Sequence, residues 1–239
     1  MIERIKMKRP VCVIVGAGPG NGAAFAARFL QEGFTLALLA RSPQFIQEQA
    51  IKFTNTYAYE CDVTEASSVT KTCEQIKQDL GDIDVIIYNA GSGHWGNIEE
   101  INPETFEANW KVNALGLLLI SQHIIPMMKK RGSGHIIIIG ATASKRGGIK
   151  TAAFAPAKAA QRSLAESMAK YLGPYGIHVA LVIIDGIMDL PNTRTHMPDK
   201  PDSFFVKPND VASTVFWLTQ QSSSTWSFEI EVRPFAENW

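Results

Sequence analysis

The chain has 239 residues, with 23 Lys plus Arg balanced by 23 Asp plus Glu, and 46% of its residues are hydrophobic. That length suits one α/β domain with a sizeable core, and the zero formal charge leaves no basic field for nucleic acid or an anionic membrane. Three dispersed cysteines, Cys12, Cys61 and Cys73, lack metal-ligand spacing and fit a reducing, cytoplasmic compartment. The basic start MIERIKMKRP leads into an apolar run too short for a signal peptide. No segment approaches the roughly 18 apolar residues of a membrane span.

In chain order, VCVIV (Val11–Val15) predicts a strand that ends in the glycine-rich turn GAGPGNG, with the helical composition of AAFAARFL after it. A strand, glycine turn and helix in this order cradle a pyrophosphate, because the backbone comes close and the helix N-terminus faces negative charge. Phe34–Ala40 predicts a strand, Pro43–Lys52 a helix, Thr56–Glu60 a strand, and Glu65–Leu80 a helix closed by Gly81. Asp84–Gly91 reads as a strand with a small-residue turn. Pro103 starts a helix carrying Asn109, Trp110 and Asn113, and a second helical run continues to Lys130. His135–Gly140 is a continuous apolar strand of the kind buried on both faces of a parallel sheet. Thr151–Leu172 predicts an Ala-rich helix and His178–Ile184 a strand. From Gly186 to Pro208 periodicity fails, predicting a long loop, before a helix at Val211–Gln220 and a strand at Phe228–Val232.

Six or seven strands separated by helices predict an α/β fold, a doubly wound parallel sheet in a single domain. Ligands on such sheets sit beyond the carboxyl ends of the strands, where each polar or glycine-rich turn falls. Two glycine patterns overlap: Gly18, Gly20 and Ala23 satisfy G-x-G-x-x-A, while Gly16, Gly20 and Gly22 give G-x-x-x-G-x-G from the end of the strand.

Gly16 with Gly20-Asn21-Gly22, then Asp62-Val63, Asn89-Ala90-Gly91, Asn113 and Lys158 follow one another in an order and spacing that resemble the short-chain dehydrogenase/reductase family. The resemblance spans nearly the full chain. It implies one Rossmann-type dinucleotide-binding domain over residues 1–239, with the stretch at about 187–207 covering a small-molecule substrate. It also implies that Asp62 and Val63 flank the adenine, that Asn89-Ala90-Gly91 support the ribose and sheet centre, that Lys158 bonds the nicotinamide ribose, and that Ile187 joins the cofactor contacts. Helices at Asn102–Lys130 and Thr151–Leu172 match the family's subunit-interface helices, so a homodimer or homotetramer is expected.

An acidic residue at the end of the second strand would select NAD(H). That place holds Ala40, followed by Arg41 and Ser42. A guanidinium and a hydroxyl suit a 2′-phosphate, so the expected cofactor is NADP(H) in preference to NAD(H). Asp62 has a second reading, as N-cap of the next helix.

The family uses a tyrosine as proton donor four residues before the lysine, a serine that polarises the substrate oxygen, and an asparagine that supports a water relay. Aligned on Lys158, the tyrosine place is Phe154 and the serine place is Ala141; Ile184-Asp185-Gly186 replaces the usual Pro-Gly. Neither replacement has a proton to give. Asn113 and Lys158 remain, and other hydroxyls, Thr142 and Ser144, lie just past Ala141. His94, in the loop GSGHW, is the candidate for a substitute acid. Lys145, Arg146 and Lys150 could receive a substrate anion or simply be solvated. The five histidines have no i, i+4 pair, no zinc pattern exists, and G-x-S-x-G is absent. Two functions follow: an NADP(H)-dependent oxidoreductase with atypical acid–base chemistry, or a catalytically silent NADP(H)-binding, redox-sensing or partner protein.

Overall fold

The central sheet is built from runs in which both alternating faces are apolar. In β1 (Val11–Val15) the side chains of Val11, Val13 and Val15 enter one core, while Cys12 and Ile14 enter the other. A strand with two buried faces needs helices on both sides, and the alternating helices supply them. The structure, a computed structural model, describes residues 9–236; residues 1–8, most of the basic opening segment, and 237–239 lie outside the described residues.

After β1 come α1 (Asn21–Gln31), β2 (Thr35–Ala40), α2 (Pro43–Lys52), β3 (Thr56–Glu60), α3 (Ala66–Leu80) and β4 (Val85–Tyr88). The second half holds α4 (Pro103–Trp110), α5 (Gly116–Arg131), β5 (Gly134–Ala141), α6 (Phe154–Leu172) and β6 (Ile177–Ile184). Then follow β7 (Ile187–Met188), α7 (Pro191–His196), β8 (Phe205–Val206), α8 (Pro208–Thr219) and β9 (Glu229–Val232). Seven strands form one parallel sheet in the order β3-β2-β1-β4-β5-β6-β9. Chain direction across the sheet reverses beside β1, whose neighbours are β2 and β4, and a crevice opens at that point. One core lies under α3, α5 and α6, where Ile76, Leu117, Ile120 and Met168 are buried. The other lies under α1 and α8, where Phe25, Phe29, Val215 and Leu218 are buried. The expected doubly wound single-domain fold is therefore the fold observed.

Four local expectations are corrected. The two helical runs between Pro103 and Lys130 form one continuous helix over Pro103–Arg131, joined by a π-turn at Lys111–Leu115. That 29-residue helix is long and apolar enough to cross a membrane by length and composition, contrary to the expectation that no segment is. Its apolar residues Leu117, Ile120, Ile124 and Met128 are instead spent on the sheet core. The helix expected from Thr151 begins at Phe154, because Thr151 bridges Gly96 and accepts the Gly148 N–H on its hydroxyl. The stretch from Gly186 to Pro208 is folded: β7 pairs with β8, bringing Ile187 beside Phe205, and α7 lies between them.

Candidate functional site

At the carboxyl ends of β1 and β4 a cavity of about 560 Å³ is lined by the glycine turn, by Ala40, Arg41 and Ser42, by Asp62 and Val63, by Asn89 through Ser92, and by Leu190. Gly16 shows why the turn is tight. A Cβ there would lie 2.5 Å from the Ala90 backbone, and the Gly16 carbonyl accepts the Asn89 side-chain amide at 2.8 Å. Gly20 has φ of 114°, open to glycine alone, and a Cβ on it would strike Leu190. Gly22 allows α1 to start against Ala17, whereas a Cβ at Gly18 would meet nothing. The geometry thus selects Gly16, Gly20 and Gly22 over the overlapping Gly18 pattern. The carbonyl oxygen of the Asn21 side chain, at the start of α1, is a buried acceptor without a partner among the described residues.

Arg41 and Ser42 stand on the cavity rim, and Ser42 is the N-cap of α2 without a side-chain capping bond. Across from them, Asp62 accepts the Thr64 N–H (2.9 Å) and hydroxyl (2.7 Å). Partial burial pushes the Asp62 carboxyl up, but the two Thr64 hydrogen bonds and the nearby Arg41 guanidinium outweigh it and hold the group below the usual carboxylate range. Asp62 does not cap the next helix. Its bonds close a turn at Thr64, and the N-cap of α3 is Glu65.

Behind Gly91 the floor is polar and buried. Lys158 is 6% exposed, and its ammonium donates to the Ile139 carbonyl (3.0 Å) and to Gln161 Oε1 (2.9 Å). Burial with no carboxylate beside it pushes the Lys158 amine down to about 7. Gln161 Nε2 donates to the Asn113 carbonyl at 3.0 Å, and the Tyr88 hydroxyl donates to the Val112 carbonyl at 2.6 Å. A π-turn releases carbonyls from the α-helical ladder, and these two side chains accept the role of partner. The turn carries Asn113, whose amide nitrogen donates to the Ser92 and Asn109 carbonyls. Its Oδ1 is buried without a partner among the described residues, 3.5 Å from where a Gly91 Cβ would sit; Lys158 Nζ is 3.7 Å from the same point. Asn113 and Lys158 are therefore brought together behind Gly91, beneath the cavity lining. Gln161 and Tyr88, absent from the sequence-derived set, join them.

Ala141 ends β5 and Phe154 begins α6. The Phe154 ring packs against Gly93 and lies 5.8 Å from the Trp95 ring. The neighbouring hydroxyls are engaged: Thr142 donates to Asp185 Oδ1 at 2.5 Å, and Ser144 donates to the Ala141 carbonyl at 2.7 Å. Lys145 is paired with Glu229 and Glu231, so it is unsuited to receiving a substrate anion, while Arg146 and Lys150 are exposed. His94 is exposed on the loop two residues beyond Ser92, with its Nδ1 3.0 Å from Asn109 Nδ2.

Ile187 is held in β7 and does not line the cavity; Leu190, four residues past Gly186, does. The 187–207 segment is fastened by Asp189, which accepts from Arg194 (2.6 Å) and Lys207 (2.6 Å). These two partners hold the Asp189 carboxyl well below the usual range.

Comparison with known proteins places this arrangement. Residues 10–200 match the family model described as short chain dehydrogenase. An uncharacterized oxidoreductase of Staphylococcus epidermidis is 28% identical over 230 residues, covering 96% of this chain and 99% of its own. An alcohol dehydrogenase from the archaeon Thermococcus sibiricus, solved with 5-hydroxy-NADP, superposes with a TM-score of 0.85 at 25% identity, covering 96% of this chain and 98% of its own. A metagenomic short-chain oxidoreductase solved with NADP gives 0.81 at 27% identity, covering 95% and 98%.

Proposed function

The chain belongs to the short-chain dehydrogenase family, and from that premise we propose that it is an oxidoreductase that binds NADP(H) and interconverts a small carbonyl compound and its alcohol. The observation that carries the reading is the cavity itself: a glycine turn at its centre, Arg41 and Ser42 at one end, Gly91 with Lys158 and Asn113 behind it at the other. Its fit to a dinucleotide rests on the backbone closeness at Gly16 and on the N-terminus of α1 that the glycine turn presents at Gly20 and Asn21. Arg41, with the uncapped N-terminus of α2 at Ser42, favours a 2′-phosphate. The two solved relatives above carry NADP or a derivative of it.

The nicotinamide supplies or accepts the hydride when bound. Lys158 would hold the adjoining ribose, Asp62 and Val63 the adenine, and Leu190 would replace Ile187 as the covering residue. Acid–base chemistry departs from the family's usual arrangement, since Phe154 and Ala141 take the places of the tyrosine and serine. Losing one such donor removes about 2.7–4 kcal/mol of transition-state stabilisation, so ordinary ketones should be reduced slowly. Exposed Phe106, Trp110 and Leu118 along α4 and α5 support a homodimer or homotetramer.

The test is a fluorescence titration with NADPH and NADH, followed by turnover of aldehydes and ketones by the wild type and by Ala141→Ser/Phe154→Tyr. Tighter NADPH binding and a gain of turnover in the double variant are expected. Equal or tighter NADH binding overturns the cofactor assignment. The same engaged hydroxyls at Thr142 and Ser144 favour a second reading, a silent NADP(H)-binding protein; tight NADPH binding with no turnover of any carbonyl selects it.

A further inference from the structure

The hydrogen bonds around His94 fix more than its position. Asn109 is fully buried on α4. Its Oδ1 accepts the His94 backbone N–H at 3.3 Å, its Nδ2 donates to the Thr105 carbonyl at 2.8 Å, and the same Nδ2 lies 3.0 Å from His94 Nδ1. The amide cannot be turned around. With Oδ1 and Nδ2 exchanged, an oxygen would face the Thr105 carbonyl, an acceptor, and the NH₂ would face the His94 backbone N–H, a donor. One amide hydrogen goes to Thr105, so the other points at Nδ1. Nδ1 must then present its lone pair, and the single ring proton resides on Nε2.

An imidazole held this way is a preset hydrogen-bond donor through Nε2, because a hydrogen on Nδ1 would face the Asn109 N–H. The location suits a substrate oxygen. His94 sits between Gly93 and Trp95, both packed on Phe154, and two residues past Ser92 on the cavity wall.

We propose that Asn109 locks His94 as the neutral Nε2–H tautomer, and that His94 supplies the hydrogen bond to the substrate carbonyl oxygen that Ala141 cannot. The inference rests on the oxidoreductase reading above. In the reduction, the carbonyl carbon receives a hydride from the bound reduced nicotinamide, and the C=O π pair moves onto oxygen. That oxygen, held by Nε2–H, takes a proton from solvent water, and the resulting hydroxide is neutralised by buffer. His94 ends each cycle with the proton it began with. Asn109 is a positioning residue.

The lock is read without any substrate, from two-bond ¹H–¹⁵N spectra of the ¹⁵N-histidine-labelled full chain at neutral pH, His94 being assigned by its loss in His94→Gln. The expected spectrum shows a protonated Nε2 and a bare Nδ1, collapsing toward mixed tautomers in Asn109→Ala or, if that variant unfolds, in Asn109→Ser. A wild-type His94 protonated at Nδ1 overturns the proposal. Turnover with NADPH of benzaldehyde, acetophenone and cyclohexanone tests the role. His94→Gln retains a donor at the Nε2 position and should keep most of the kcat, while His94→Phe should lose about a hundredfold or more with NADPH affinity unchanged. Equal losses in the two variants overturn the donor role in favour of acid catalysis. If the wild type binds NADPH and reduces none of the three, the oxidoreductase reading fails and the donor role with it, while the spectrum still judges the lock.

Discussion

Gln161 donates its side-chain amide to the backbone carbonyl of Asn113 across 3.0 Å, tying α6 to the π-turn of the long helix. Its other end accepts from Lys158. All three side chains are buried, so Gln161→Leu would strand one acceptor and leave the lysine a partner short. Each unsatisfied buried group costs about 1–3 kcal/mol. We expect Gln161→Leu to be destabilised by about 2 kcal/mol or more, measured as the urea midpoint of the protein without nucleotide.

Lys158 carries a pH signature. Its folded pKa of about 7 lies well below the ordinary lysine value. Between the two the unfolded chain binds more protons than the folded one, so this residue's contribution makes stability rise with pH above 7 and level off near the unfolded value. Lys158→Met should lack that component. The difference in unfolding free energy between wild type and variant, followed from pH 7 to pH 10, should shift in favour of the wild type.

A histidine pair titrates at the amino ends of β5 and β6, away from the cavity. His135 and His178 are cross-strand neighbours, their rings 5.9 Å apart, and His178 stacks on Trp226. Burial, then the neighbouring His178 and Arg131, push His135 down to about 4; burial also lowers His178. The folded state keeps both rings neutral while the unfolded chain protonates them. Stability is therefore lost as pH falls from about 6.5 toward 4. His135→Phe should narrow the drop in melting temperature between pH 7 and pH 4.5.

Arg41 borders the cavity opposite Asp62. If it meets a 2′-phosphate, Arg41→Asp should weaken NADPH binding by about tenfold or more, the value of a hydrogen bond to a charged group, and leave NADH binding unchanged or improved. Titrations with both nucleotides measure it.

Much of this was legible in the residue order. Pro43–Lys52 and Thr56–Glu60 match the expected elements residue for residue, because a proline start and a short β-rich run are local signals. The glycine turn was equally plain, although only its spatial neighbours distinguish Gly16 and Gly22 from Gly18. What escaped is non-local. The π-turn depends on Tyr88 and Gln161 reaching its carbonyls from 24 and 48 residues away. The folded 187–207 segment depends on two-residue strands that find each other across the helix between them. His94 was visible as a candidate, but its tautomer is set by Asn109, whose role no spacing rule announces.

Leu190 fills the space where a Gly20 side chain would begin, so the covering segment and the glycine turn already touch across the cavity. A pyrophosphate seated on that turn must share or displace this contact, and the ion pairs of Asp189 resist the displacement. The barrier acts on arrival as well as on residence. Leu190→Ala should therefore speed NADPH association in stopped-flow mixing, making this one methyl contact a gatekeeper of rate.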